Sequence, residues 1–300
     1  MRIEKLWLPT VLSLLGISLL FPCGAQEVRA SSAGKHCLWK IEGQSSTVYL
    51  LGSVHFLKKQ NYPLPASIEA AFTNAQIAVF ELDSDKMHDP AMQMKMLAKS
   101  RLPADESLKD QLSPETYLAF SNHVAKVGLS MEMLESLKPF AAVTILEMTE
   151  LQNLGFEPEY GLDEYFSARA RKEGKEVRAL ETVDFQIDLL TGFNKADGEA
   201  YLQAELKDID NVQRDFTQML EAWRDGDSTK LGKFLNDAMH ESPLLFKRWV
   251  TDRNTNWIPK IEELTRGTKN AIVIVGAGHL IGTNGVVELL KKKGLKVSQE

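Results

Sequence analysis

Two of the six histidines occur in the same sequence context, one that suits a reaction centre. The apolar run 48–51 leads into Gly-Ser-Val-His at His55, and the run 272–275 leads into Gly-Ala-Gly-His at His279. A buried strand fixes its carboxyl end, and the glycine permits the turn that brings the histidine to the sheet edge. Imidazole is the commonest metal ligand and the commonest acid or base at neutral pH. Both histidines are therefore candidate metal ligands or proton-transfer groups, with two unrelated buried histidines as the plainer alternative.

Two glutamates stand at similar places. Glu81 follows the apolar run 77–80, and Glu181 follows the run 177–180. A carboxylate just past a buried strand can ligate a metal ion or accept a proton from metal-bound water. The alternative is that each is a solvated strand end.

Three further polar residues complete the candidate set. Asp163, in Gly-Leu-Asp, opens a predicted helix, and its spacing slightly favours an N-cap role. Arg253 and Asn254 lie in a polar segment within a helical stretch. Arginine is suited to binding a carboxylate or an oxyanion, but an exposed helix face explains the pattern equally well.

The elements that position these residues form an alternating pattern. Strands are predicted in the first and last quarters of the chain and near two central positions, at 38–41, 47–51, 77–80, 177–180, 270–275 and 295–297. Helical patterns fill the middle, with two or three long helices predicted over 183–266. This order indicates one α/β domain with a large helical insertion, and active sites of open α/β sheets lie at the carboxyl ends of strands.

Composition excludes several classes of protein. The chain is 44% hydrophobic and 25% charged, which is too apolar for disorder and too charged for a polytopic membrane protein. A net charge of −6 argues against a nucleic-acid binder, and two cysteines cannot form a disulfide framework. His-Glu-x-x-His, Gly-x-Ser-x-Gly and Walker motifs are absent, and the glycines of 276–282 come too late in the chain for a dinucleotide fold.

The first thirty residues have the layout of a signal peptide. Arg2 and Lys5 precede an apolar run over 6–21. Segments ending in small residues, which suit signal-peptidase cleavage, follow at 23–25 and 28–30. The run is shorter than the ~20 residues of a spanning helix, although an N-terminal anchor is the alternative. We expect export to the periplasm or the exterior, a single domain over 31–300 and no membrane span after cleavage. The residues before Cys23 do not fit a lipoprotein signal.

The sequence resembles the TraB/PrgY/GumN family, which includes the Tiki metalloproteases. The resemblance spans about residue 38 to the C-terminus and is strongest in the exported bacterial branch. It rests on the segments 51–57, 80–83, 161–163, 180–182, 253–257 and 275–282.

The resemblance implies a fold and a set of site residues. The implied fold is α/β, a central mixed β-sheet flanked by helices with a large helical middle segment, related to the erythromycin-esterase-like and ChaN-like proteins. His55 and His279 would be metal ligands, and Glu81 would be a further ligand or the general base. The other residues that would line the pocket are Glu181, Asp163, Arg253 and Asn254.

These observations lead to one prediction and two alternatives. The prediction is a divalent-metal-dependent hydrolase, most simply a peptidase, that acts on a peptide or small molecule and uses Mn, Co, Zn or Fe. One alternative is a non-catalytic protein that binds and sequesters a peptide. The other is a haem- or iron-binding protein. The sequence leaves open the oligomeric state, the metal and the choice of general base.

Overall fold

The strands form one mixed sheet. The computed structural model of the protein describes residues 34–241 and 243–300. Its strands are β1 (Leu38–Glu42), β2 (Thr47–Ser53), β3 (Ile77–Phe80), β4 (Glu176–Ala179), β5 (Ala271–Gly276) and β6 (Val297–Gln299). They are ordered β4-β3-β5-β2-β1-β6. Strands β4, β3, β5 and β2 are parallel, whereas β1 and β6 pair antiparallel. The predicted α/β class with a central mixed sheet is confirmed.

Helices make up most of the remaining chain. In the first half they are α1 (Ala66–Asn74), α2 (Ser84–Met87), α3 (Pro90–Ser100), α4 (Leu108–Gln111), α5 (Pro114–Lys126), α6 (Met131–Leu134) and α7 (Pro139–Asn153). In the second half they are α8 (Leu162–Lys172), α9 (Val183–Thr191), α10 (Lys195–Asp208), α11 (Val212–Arg224), α12 (Ser228–Glu241), α13 (Pro243–Phe246), α14 (Asp252–Arg266), α15 (Ala277–Leu280) and α16 (Val286–Lys292).

The parallel strands end at one edge of the sheet. Ser53 at the end of β2 pairs with Gly276 at the end of β5, and Phe80 at the end of β3 pairs with Ala179 of β4. Every residue of β3 and β5 is buried, as expected for parallel strands covered on both faces. The residues that follow these four strands therefore meet at a common edge, which we call the sheet edge.

Buried apolar side chains form two cores. The sheet core surrounds the strands and includes Leu50, Ile274 and Trp257. The helical core lies among α5, α7, α9 and α10 and includes Phe120 and Trp249. Val212, at the start of α11, packs against both cores. The predicted helical insertion is thus a second packed layer of the molecule.

Two of the predicted elements were wrong in detail. In the described part of 183–266 the chain forms six α-helices and a π-helical turn over Lys247–Thr251, because capping residues such as Asn194 interrupt the apolar pattern. The last strand begins at Val297, two residues later than predicted. Gly294 has a φ of 87°, and Leu295 donates back to the Leu290 carbonyl of α16, so the chain is still leaving that helix.

The predicted signal peptide, residues 1–30, lies outside the described residues. Among the residues described, no helix combines the length and apolar character that a membrane span needs.

Candidate functional site

The sheet edge brings all seven predicted site residues into one region. Four of them lie within three residues after a strand: His55, Glu81, Glu181 and His279. The other three lie on α8 and α14: Asp163, Arg253 and Asn254. Backbone hydrogen bonds set their spacing. The Glu181 amide donates to the Glu81 carbonyl at 2.9 Å, and the Leu162 amide donates to the Val54 carbonyl at 3.1 Å. The first bond joins the ends of β3 and β4, and the second fixes α8 beside the end of β2.

Arg253 is the centre of this region. Its side chain is fully buried, and its Nη2 lies 2.6 Å from Glu81 Oε2 and 2.8 Å from Glu181 Oε2. Its Nε lies 3.0 Å from Glu181 Oε1, and its Nη1 contacts the Trp249 carbonyl at 3.3 Å and His279 Nε2 at 3.1 Å. A guanidinium has five N–H donors, so these contacts use all of them.

Both glutamates are buried and paired with this arginine. Burial, the largest single influence, would raise the pKa of Glu81, but Arg253, the two histidines and the Gly276 amide together outweigh it and hold the pKa well below its usual range. The Gly276 amide also donates to Glu81 Oε1 at 2.8 Å. Glu181 accepts from Trp257 Nε1 at 2.8 Å. Glu81 is therefore ionised, and both carboxylates are fixed by several donors.

His279 is held in one tautomer. Its Nε2 faces an Arg253 N–H, and because arginine cannot accept, this nitrogen is the unprotonated one. Its Nδ1 then carries the proton and donates to Asn254 Oδ1 at 2.7 Å, while Asn254 Nδ2 donates to the Asn284 carbonyl at 2.9 Å. Burial and the charge of Arg253 lower the pKa of His279 to about 3, so the ring is neutral.

His55 differs because it reaches solvent. Its side chain is 16% exposed, and its Nδ1 lies 2.6 Å from Asp163 Oδ2. Burial, the largest single influence, would lower the pKa of His55, but the charge and hydrogen bond of Asp163, together with the charge of Glu81, outweigh it and raise the pKa to about 9. Ser53 Oγ lies 2.9 and 3.0 Å from the two Asp163 oxygens. This pairing orients the ring and leaves Nε2 as its free nitrogen.

Two glycines permit close packing at the sheet edge. A Cβ on Gly161 would lie 2.2 Å from the His55 carbonyl oxygen, and one on Gly52 would lie 3.1 Å from Ala277. Gly161 is also the N-cap of α8, with no side-chain cap. The slight preference for Asp163 as N-cap was therefore wrong: it lies in the first turn and turns its carboxylate to His55.

The arrangement does not fit a metal ion held by His55, His279 and Glu81 together. The single lone pair of His279 Nε2 is used by Arg253, so a metal bound there would require Arg253 to move away. Within 34–241 and 243–300, no group of three or more His, Cys, Asp or Glu side chains is placed to hold a metal ion. Of the three, His55 has a carboxylate on Nδ1 and an Nε2 without a protein partner, and it would bind a metal by giving up the Nε2 proton that its raised pKa retains at neutral pH. The three-residue metal set stays a prediction.

Sequence reasoning missed two members of the cluster. Ser53 lies inside the Gly-x-x-His segment, two residues before His55, so its place at the end of the strand is visible in the sequence. Gln186 of α9 is 1% exposed, and its Nε2 lies 3.0 Å from Glu181 Oε2 and 3.5 Å from Glu81 Oε2. A glutamine within a helix gives no sequence signal of this kind. The carbonyl of Trp249 also contributes, from the π-helical turn, a feature frequent at functional sites.

The fold and the site define an α/β protein with a buried arginine–carboxylate–histidine cluster and an adjacent Asp–His pair at the sheet edge. The family model described as TraB/PrgY/gumN family matches residues 37–299. The chain therefore belongs to the TraB/PrgY/gumN family.

Its relatives span bacteria and vertebrates. The chain is 26% identical to Uncharacterized protein YbaP of Escherichia coli (strain K12) over 243 residues, which cover 81% of this chain and 87% of YbaP. It is 25% identical to YbaP of Shigella flexneri, over 87% of this chain and 96% of that protein. It is 22% identical to Metalloprotease TIKI1 of Homo sapiens, over 95% of this chain and 68% of TIKI1. No solved structure matches the chain.

Proposed function

We propose that this protein is a hydrolase that cleaves peptides at the sheet edge. The observation that carries the proposal is the His55–Asp163 pair, in which a carboxylate 2.6 Å from Nδ1 orients a partly exposed imidazole. A histidine oriented in this way is a common proton-transfer group in hydrolases. Similarity to proteins named metalloproteases supports peptides as the substrate class. A small-molecule substrate is the alternative.

The proposal gives the residues different roles. With its pKa raised to about 9, His55 is protonated at neutral pH; it donates the Nε2 proton to the leaving nitrogen and regains one from the attacking water, while Asp163 keeps Nδ1 fixed. Arg253 has no N–H left for substrate and is fully buried, so we assign it a positioning role for Glu81, Glu181 and His279. Asn254 fixes the His279 tautomer. Only His55 and Asp163 of the set have side chains exposed by more than a tenth.

The proposed hydrolase has two forms, one that acts through His55 without a metal ion and one that also needs a divalent metal ion. The relatives named metalloproteases support it, whereas the Arg253–His279 contact opposes the three-residue ligand set. Manganese, cobalt, zinc and iron all accept imidazole and carboxylate ligands. Metal content measured by mass spectrometry on the purified protein, with the His55→Ala/His279→Ala variant alongside, decides between the two forms. About one equivalent in the wild type only would support the metal-dependent form.

Cleavage of a peptide library, followed by mass spectrometry, tests the hydrolase itself. We expect His55→Ala and Asp163→Asn to lower the rate by about 10²–10⁴-fold, the usual contribution of a proton-transfer group. His36→Ala is the matched control, because the His36 ring contacts the Arg224 carbonyl at 3.2 Å and lies outside the cluster. Equal cleavage by His55→Ala and the wild type would contradict the assignment.

The same experiment separates the two alternatives predicted from the sequence. Peptides that bind and stay intact, with Mn²⁺, Co²⁺ or Zn²⁺ present, would indicate a sequestering protein. A Soret band on haem titration that His55→Ala abolishes would indicate a haem-binding protein.

A further inference from the structure

A cleft in the helical half of the molecule lies outside the sheet-edge site. It has an interior volume of about 190 Å³ and opens to solvent between the end of α3, the start of α7 and the loop joining α9 to α10. The lining residues on which the argument rests are Ser100, Lys138, Phe140, Leu190, Phe193 and Lys195.

The cleft combines several sources of positive potential. Helices α7 and α10, of 15 and 14 residues, both begin at its wall, and Gly198 of α10 is close enough that a Cβ there would lie 3.4 Å from Pro139. The first amides of a helix have no intrahelical acceptor and carry partial positive charge. Lys138 is the N-cap of α7 and supplies no side-chain cap. Pro139 has no N–H, and Asn194 Oδ1 caps the Asp197 amide at 2.9 Å, so each helix keeps two first-turn amides without an intrahelical acceptor at this wall.

Two lysines add full charges. Lys138 Nζ donates to the Thr191 carbonyl at 3.1 Å, and Lys195 Nζ donates to the Asp110 carbonyl. Each ammonium has three donors, so these carbonyl contacts leave others for a ligand. The one carboxylate on the cleft wall belongs to Glu106, and it accepts from Gln111 Nε2 at 2.6 Å. The lining is therefore net positive.

An unpartnered hydroxyl points independently to a ligand. Ser100, at the end of α3, lines the cleft and is 2% exposed, yet its Oγ has no hydrogen-bond partner. Its carbonyl is already used, since it accepts from the Lys138 amide at 2.9 Å. Leaving a buried hydroxyl unpaired costs about 1–3 kcal/mol, so such groups are normally satisfied in the functional state.

The rest of the wall is apolar. The rings of Phe140 and Phe193 stack with their centroids 5.7 Å apart, and Leu190 continues this surface. A fully hydrated anion would gain nothing from these side chains. We propose that the cleft binds a small organic carboxylate, with the carboxylate group at the two helix ends and a short apolar chain against the aromatic wall.

The cleft is separate from the sheet edge. Gln186, near the start of α9, contacts Glu81 and Glu181, whereas Leu190 and Thr191 at the end of the same helix line the cleft. The proposal therefore does not depend on the proposed hydrolase.

Isothermal titration calorimetry of the purified protein tests the proposal with three probes: octanoate, 1-octanol and inorganic phosphate. We expect saturable binding of octanoate and at least about ten-fold weaker binding of the other two probes. The reason is that 1-octanol lacks the carboxylate and phosphate lacks the apolar chain. Lys138→Gln should weaken octanoate binding about ten-fold, and Lys138→Arg should retain it. Lys195→Gln, at an exposed position, should weaken it several-fold.

Two controls locate the binding. Lys95→Gln makes the same charge change at an exposed lysine paired with Asp184 outside the cleft, and it should not alter the affinity. His55→Ala should also bind octanoate normally, because the sheet edge is a different site. The absence of saturable octanoate binding would overturn the proposal. So would equal affinities of the wild type and Lys195→Gln, or equal binding of octanoate and 1-octanol.

Discussion

The sheet edge and the helical half treat buried polar groups in opposite ways. At the sheet edge, Arg253, Glu81, Glu181 and His279 satisfy one another through a continuous network. In the described part of the helical half, five buried polar atoms lack partners: Ser100 Oγ, His123 Nδ1, Thr144 Oγ1, Glu147 Oε2 and Trp249 Nε1. Both regions are well buried, so burial alone does not explain the difference.

The contrast shows two ways of using polar groups in a protein interior. A saturated network of opposite charges fixes atoms in place, because moving any member leaves a charge unpaired in a medium of low polarity. A buried polar group without a partner lowers the free energy of unfolding, and binding of a ligand or a proton can remove that penalty. Gln186 combines both situations in one side chain. Its Nε2 donates to Glu181, whereas its Oε1 has no hydrogen-bond partner.

Replacing Arg253 should have the largest effect on stability at the sheet edge. Arg253→Met leaves the buried carboxylates of Glu81 and Glu181 without their cation, and breaking a buried ion pair in this way costs about 3–5 kcal/mol. We expect a loss of that size in the free energy of unfolding, measured by urea denaturation. Arg178→Met, at an exposed arginine that contacts Glu176, should leave stability unchanged. A small effect of Arg253→Met would mean that the network contributes little to stability.

The two buried tryptophans of these regions form a matched pair. Trp257 Nε1 donates to Glu181 at 2.8 Å, whereas Trp249 Nε1 has no partner, although both side chains are almost fully buried. Both Trp→Phe changes remove similar volume, but only Trp257→Phe removes a hydrogen bond to a charged group. We expect Trp257→Phe to cost about 1.5–3 kcal/mol more than Trp249→Phe in urea unfolding. Equal costs would show that packing, not hydrogen bonding, dominates at both positions.

The helical half should respond to pH through Glu147. Burial, together with the carboxyl of Glu205, raises the pKa of Glu147 well above its ordinary value of 4.5, and Glu150 adds in the same direction. The folded protein then keeps a proton that the unfolded chain releases. The stability from Glu147 is fully present below pH 4.5 and is lost as pH rises towards the folded pKa.

The slope of this loss can be measured. It should approach about 1.4 kcal/mol per pH unit, the value for one proton, and Glu147→Gln should remove it. The comparison is urea unfolding of the wild type and Glu147→Gln at several pH values above 5. Glu263→Gln, at an exposed position of α14, is the control and should keep the wild-type slope. Parallel pH profiles for the wild type and Glu147→Gln would show that Glu147 is ionised in the fold.

The sequence predicted the sheet edge better than the network within it. Buried apolar strands and the residues after them have periodicity that can be read locally, so the strands ending near Glu81, Glu181 and His279 were located. Their proximity was predicted because the carboxyl ends of parallel strands lie at the same edge of a sheet. Their roles did not follow, since the sequence suggested that Arg253 contacts a substrate or solvent, whereas the structure buries it among carboxylates.

Partners distant in sequence account for what could not be predicted. The contact of Arg253 with Glu81 spans 172 positions, and that of Trp257 with Glu181 spans 76. The helical half was predicted as helical, but its cleft depends on the crossing of α7 and α10, for which local apolar periodicity carries no information. Strand ends are set by local sequence, whereas pairings across the fold are set by packing.

The smallest test uses two buried serines. Ser53, 1% exposed, donates to Asp163 at the sheet edge, while Ser100, 2% exposed, has an unpartnered hydroxyl at the cleft. Ser53→Ala should cost about 1 kcal/mol in urea unfolding, because the partly exposed Asp163 carboxylate can recover some hydration. Ser100→Ala should be neutral or slightly stabilising, since it removes a buried hydroxyl that makes no bond. A clear loss of stability for Ser100→Ala would show that its hydroxyl is already satisfied, by water or by a neighbour, and the contrast between the two regions would then not extend to the cleft.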